Sequence, residues 1–104
     1  MKDSYINING KKWKIKFVDH NRMSKWSMGE CDYPAGRNPQ IWIKDDLAPK
    51  EMLNTIIHEV LHAVRPELCE ESVEETANII ERALLKVGLD PSSLKPAKKT
   101  NKDE

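Results

Sequence analysis

The sequence lacks an excess of charge of either sign, because its 17 acidic residues balance its 17 basic residues. This balance excludes the strong net positive charge that draws a whole chain to nucleic acid or to an anionic membrane. The chain also has no apolar run near the ~18 residues that suggest a membrane-spanning helix, and no N-terminal segment with the pattern of a signal peptide. We therefore expect a cytoplasmic protein with no membrane partner and no clear nucleic-acid partner.

Cysteine is scarce as well, with only Cys31 and Cys69, and no C-x-x-C spacing. Two such residues do not make a disulfide framework, so we expect two free thiols in a reducing compartment. A chain of 104 residues is long enough for one small core. We assign residues 1–89 to a single domain and residues 90–104, which are polar and interrupted by two prolines, to a disordered tail.

The most informative feature that is present is the run His58-Glu59-Val60-Leu61-His62. On a helix, residues four apart lie on the same face, so two imidazoles so placed can bind one zinc ion together. The glutamate beside them can take a proton from zinc-bound water. The run therefore predicts a Zn²⁺ site with His58 and His62 as ligands and Glu59 as the catalytic base.

The residues around this run favour a buried helix. From Lys50 to Arg65 the apolar side chains cover about half of a helical wheel, which is typical of a helix enclosed by the fold. The centre of the polar strip consists mainly of residue types that bind metals or exchange protons. The members of that strip are Asn54, Thr55, His58, Glu59, His62 and Arg65.

A catalytic zinc usually has three protein ligands, so one more must come from elsewhere in the chain. A second helical pattern runs from Glu70 to Val87, with an apolar stripe that should pack back on the first helix. On a helical wheel, Glu70 and Glu74 lie nearest to that stripe, and this geometry leaves both open as ligands. Glu71 and Glu75 point away from it and suit a helix N-terminus, where acidic residues interact favourably with the helix dipole.

The run Glu74-Glu75-Thr76-Ala77-Asn78 resembles the E-x-x-A-[ND] signature of the second helix in several gluzincin families. These include integral-membrane prenyl-protein peptidases and small bacterial and phage proteases that cleave repressors. In those families the first glutamate of the signature binds the zinc, so the resemblance implies that Glu74 is the third ligand. The stretch from Gly29 to Leu89 is similar to a minimal gluzincin-type zinc metallopeptidase domain, as in small phage- and prophage-encoded proteins, which would place it in the host cytoplasm.

The N-terminal half has the pattern of strands. Alternating patterns flank the turn signal Asn9-Gly10, and further strand patterns follow in residues 27–33 and 40–43. We expect an α+β fold of zincin type, with a small, mostly antiparallel sheet packed on the two helices. In zincins the sheet edge beside the active-site helix pairs with an extended substrate. We take residues 41–43 as the candidate for that edge, with an ordinary structural strand as the alternative.

The resemblance implies zinc-dependent hydrolysis of a protein or peptide substrate. Zincins usually add a side chain that stabilises the oxyanion, and His20, Tyr33 and Arg65 are the candidates here. Arg65 has an alternative role as a partner of Glu74 or Glu70. The competing interpretation is a zinc-stabilised adaptor without catalysis, and a domain this small is also expected to need a protein partner to complete its cleft.

Overall fold

A computed structural model describes residues 2–19, 21 and 27–94 of the chain. These residues form a four-stranded sheet, two helices and a closing turn of 3₁₀ helix, in the α+β arrangement expected from the sequence. The strands are β1 (Ser4–Ile8), β2 (Lys11–Val18), β3 (Gly29–Cys31) and β4 (Gln40–Lys44), and the helices are α1 (Pro49–Val64) and α2 (Glu70–Lys86).

The first two strands form the hairpin that the sequence predicts. Ile8 pairs with Lys11, which leaves Asn9 and Gly10 as the two turn residues. Both have positive φ, 52° and 82°, as a two-residue hairpin turn of type I′ requires. Asparagine and glycine adopt this conformation at the least cost in energy.

The strand order is β1-β2-β4-β3. The outer pairs are antiparallel and the central pair, β2 with β4, is parallel, so the sheet is mixed rather than purely antiparallel. This order corrects the prediction for residues 41–43. They lie on β4, which is hydrogen-bonded on both sides, and the edge of the sheet beside α1 is the short strand β3.

One face of the sheet packs on α1 and forms the core with it. Trp13, Ile41, Ile43 and Met52 are at most 1 % exposed, and half-buried apolar side chains surround them. Because side chains alternate along a strand, the residues between these core positions lie on the opposite face of the sheet. Helix α1 therefore covers one side of the sheet, and α2 packs on α1.

Helix α1 begins at Pro49, whose fixed φ and missing N–H suit the first helical position.

Helix α2 packs on α1 in the antiparallel sense that the short connection predicts. The Asn54 amide near the start of α1 donates to the carboxylate of Glu81 near the end of α2, at 2.7 Å. Val73 and Ala77 of the predicted apolar stripe are fully buried, whereas Val87, also assigned to that stripe, is 82 % exposed because it lies beyond the last turn of α2.

The chain continues past α2 into a 3₁₀ turn at Pro91–Ser93, and the side chain of Leu94 packs against the core. The remainder of the predicted tail, residues 95–104, lies outside the described residues. Among the described helices, none is long and apolar enough to cross a membrane.

Candidate metal centre

The two histidines of the sequence motif lie on the face of α1 that is turned toward the start of α2. Their ring centroids are 4.9 Å apart, as the spacing of one helical turn predicts. Both rings are partly buried, with 16 % and 25 % of the side chain exposed for His58 and His62. Each directs its Nε2 atom toward the same carboxylate.

That carboxylate belongs to Glu70, the first residue of α2. Its two oxygens lie 2.8 Å from Nε2 of His58 and 2.9 Å from Nε2 of His62. One ligand atom from each of these three residues lies within 4.8 Å of the others, which makes them a group able to hold a metal ion. Tetrahedral zinc ligands at about 2.0–2.2 Å from the metal lie roughly 3.3–3.5 Å from one another, so small side-chain adjustments would accommodate Zn²⁺ here.

Glu74, the ligand that the family resemblance implies, lies one turn further along α2 and is not in this group. It lines a neighbouring cavity of about 370 Å³ together with His58, Glu70 and Asn78. The structure thus brings His58, His62 and Glu70 together and leaves Glu74 beside them, in the neighbouring cavity. The assignment of Glu74 as a ligand stays a prediction.

Glu59 is buried directly beside the histidines, with 7 % of its surface exposed. Burial, then the nearby charges of Glu70 and Glu30, raise its pKa from 4.5 to about 7. Its close neighbour is Gly29 on β3, where a Cβ atom would lie only 3.0 Å from Cγ of Glu59. Glycine at this position lets the strand pass tightly over the carboxylate.

The cleft in front of the histidines has a volume of about 520 Å³. One wall is β3 with the loop that follows it, and the other is formed by the two helices and their connection. The described residues that line it include no lysine or arginine, and they are Gly29, Glu30, Cys31, Asp32, Tyr33, Pro34, His58, Glu59, His62, Pro66 and Glu70.

The three candidates for oxyanion stabilisation have different positions. Tyr33 lines the cleft and is 72 % exposed. Arg65 pairs with Glu67, with Nη2 at 2.6 Å from the carboxylate, rather than with Glu74 or Glu70, the partners that the sequence suggests. His20 lies outside the described residues.

Both cysteines are free thiols, as predicted. Burial, then the charges of Glu59 and Asp32, raise the pKa of Cys31 to about 12, so this thiol in the cleft wall stays protonated at neutral pH. Cys69 is exposed and precedes α2, and it is not part of the histidine–glutamate group.

Sequence reasoning missed the contribution of β3 to this site. The signal was present, since a short strand containing glycine and a charged residue is typical of a sheet edge. Comparison with known proteins adds no further residues, because no family model, curated protein or solved structure matches the chain.

Proposed function

We propose that this protein is a zinc-dependent peptidase of zincin type, in which His58, His62 and Glu70 hold Zn²⁺ and Glu59 is the general base. One observation carries the proposal. Three ligand atoms of the types that zinc prefers converge on one point, directly beside a buried carboxylate and at the floor of an open cleft. A purely structural zinc site has no use for that carboxylate, so Glu59 favours catalysis over an adaptor role.

Zinc, when bound, lowers the pKa of a water molecule to about 7 and polarises a carbonyl oxygen. Glu59 accepts the proton of the attacking water and passes it to the nitrogen of the departing amine. Tyr33, whose side chain lines the same cleft, is the candidate hydrogen-bond donor to the oxyanion.

Among the described strands, none pairs with the outer edge of β3, and this edge provides a place for the substrate backbone. The backbone oxygen of Met28 accepts a hydrogen bond from Lys44, and the backbone N–H of Asp32 donates one to Gln40 on β4. Along a strand of an antiparallel pair, successive residues direct their backbone groups to alternate sides. The backbone groups of Cys31, next to Asp32, therefore point toward the outer edge of β3. An extended peptide can therefore add to the sheet at β3, with its main chain lying across the histidine pair. This assignment replaces β4 as the proposed site of strand addition.

The test is cleavage of a mixed peptide library by the zinc-loaded protein, followed by mass spectrometry. Glu59→Gln preserves size and hydrogen bonding, so we expect unchanged zinc content and a loss of cleavage of at least ~100-fold, the scale of general-base catalysis. Glu75→Gln, an exposed glutamate on α2, is the matched control and should cleave normally.

Equal cleavage by the wild type and by Glu59→Gln would contradict the proposed role of the carboxylate. If the zinc-loaded wild type cleaves neither the library nor folded proteins in a lysate, hydrolysis is not the function. The zinc-stabilised adaptor would then be the better interpretation.

A further inference from the structure

The face of the sheet turned away from the helices is rich in lysine. On β2, every second residue packs into the core or against it, and the residues between them, Lys12, Lys14 and Lys16, lie on the opposite face. Lys16 is opposite Trp42 on β4, and Lys44 ends the same strand. Four ammonium groups thus share one face of a chain whose total charge is zero.

Two aromatic side chains lie among these lysines. Tyr5 on β1 pairs with Lys14 and is 61 % exposed. Nζ of Lys12 lies 4.6 Å from the centroid of its ring, and Nζ of Lys14 lies 6.0 Å away. Trp42 alternates with the two fully buried isoleucines of β4, so its half-buried indole is on the lysine face.

A groove of about 400 Å³ runs along one end of this face, and Tyr5, Lys12, Lys14, Arg37 and Gln40 are among its lining residues. Acidic residues flank this face at both margins. At the β3 margin, Glu30 is opposite Trp42 and Asp32 accepts a hydrogen bond from the backbone of Gln40. At the β1 margin, Asp3 lies two residues before Tyr5 and accepts a hydrogen bond from the backbone of Phe17. The lysines and the two aromatic rings therefore lie between two acidic margins.

We propose that this face binds single-stranded nucleic acid. A sheet face on which lysine side chains surround an exposed tyrosine ring and a half-buried indole offers ionic contacts to phosphates and stacking surfaces for bases. Successive lysines on one face of β2 are about 6.6 Å apart, a spacing that lets neighbouring side chains contact successive phosphates of an extended strand. A duplex hides its base faces from stacking on aromatic side chains, so the single strand is the better match to this face.

This face is on the opposite side of the sheet from the histidines, so the inference does not depend on the proposed hydrolysis. A basic face is compatible with the zero net charge of the whole chain. Overall neutrality removes a general attraction of the whole chain to polyanions, whereas a local field depends on where the charges lie.

The test is fluorescence anisotropy of a labelled oligothymidylate with the full-length protein. An oligothymidylate of about 20 nucleotides is longer than the ~4–16 nucleotides that one single-strand-binding domain covers. The double variant Lys12→Ser/Lys14→Ser should bind at least about 10-fold more weakly, and the slope of log K against log salt should fall by roughly 0.7 for each phosphate that the protein no longer neutralises. Tyr5→Ala should weaken binding by roughly 10-fold, because a base can no longer stack on the ring, while leaving that slope unchanged.

The matched control is Lys50→Ser/Lys86→Ser, which removes the same charge from exposed positions on the helices. It should bind like the wild type, and so should Glu59→Gln. An equal loss of affinity in the control would show a nonspecific effect of total charge and overturn the proposal. Absence of binding at low salt would overturn it too, as would tighter binding of a duplex or of polyglutamate than of the single strand.

Discussion

At the scale of single residues, Glu59 lies out of water beneath β3 and near the carboxylate of Glu70, and both conditions favour its protonated form. Its pKa in the folded, metal-free protein is raised from 4.5 to about 7. A raised pKa means that the folded state binds the proton more tightly than the unfolded state. The resulting stabilisation is complete below about pH 4.5 and is lost as the pH rises through 7.

Glu59→Gln should therefore stabilise the metal-free protein at pH 8, where the wild type must bury a charge. A shift of this size corresponds to about 3 kcal/mol in the free energy of unfolding. Urea denaturation at pH 8 and at pH 4 measures the difference, which should nearly vanish at the lower pH. Glu75→Gln is the exposed control, and an equal gain in that variant at pH 8 would refute the explanation.

The placement of His58, Glu59 and His62 on one helix follows from residue spacing alone, because helical periodicity is a local property. The choice between Glu70 and Glu74 is different, since both flank the apolar stripe of α2. Which carboxylate meets the imidazoles depends on how far α2 is shifted along α1. That shift is set by packing at Val73 and Ala77, which spacing does not reveal.

At the scale of elements, the contact between β3 and α1 depends on the absence of a side chain at Gly29. A Cβ atom there would lie 2.8 Å from Cγ2 of Thr55 and 3.1 Å from the backbone oxygen of Trp42. Gly29→Ala should therefore destabilise the protein by roughly 1–3 kcal/mol, the usual cost of overpacking. Gly36→Ala is the control, because its nearest contact would be 3.8 Å. Equal thermal stability of the two variants would show that the strand has room to move.

The first turns of α2 contain both candidates for the third zinc ligand. Because the Glu70 oxygens already lie within 2.9 Å of both imidazoles, Glu70→Ala should weaken zinc binding by roughly 10-fold or more. Glu74→Ala should weaken it less. Competition with a chromophoric chelator measures both affinities, and the reverse ranking would move the ligand one turn along α2, in agreement with the family resemblance.

The elements themselves could be predicted closely, because turn and helix signals are local. The sequence pattern places the second helix at its observed start, Glu70, and the hairpin turn at Asn9 and Gly10. The strand order could not be predicted from such local signals. Parallel pairing of β2 with β4 joins segments far apart in sequence, and it moves β4 away from the edge that its position before α1 suggests.

At the scale of the whole molecule, a metal held by His58, His62 and Glu70 would join the end of α1 to the start of α2. Any ligand that binds only the folded state stabilises it, by about 2.7 kcal/mol at a free concentration of 100 Kd. For a domain of this size, zinc should then raise Tm by roughly 10–20 °C, and EDTA should reverse the shift. His62→Ala should show almost no shift, whereas a zinc effect equal to that of the wild type would place the metal elsewhere.

X-ray absorption at the zinc edge shows whether two imidazoles and one carboxylate bind the metal. We expect one zinc per chain, with two imidazole nitrogens and oxygen ligands at about 2.0–2.2 Å, and no sulfur at about 2.3 Å. Glu59→Gln should bind zinc through the same number and types of ligand atoms. A zinc–sulfur distance, which would implicate Cys31 or Cys69, would contradict the account, and so would a protein that retains no zinc after purification in its presence.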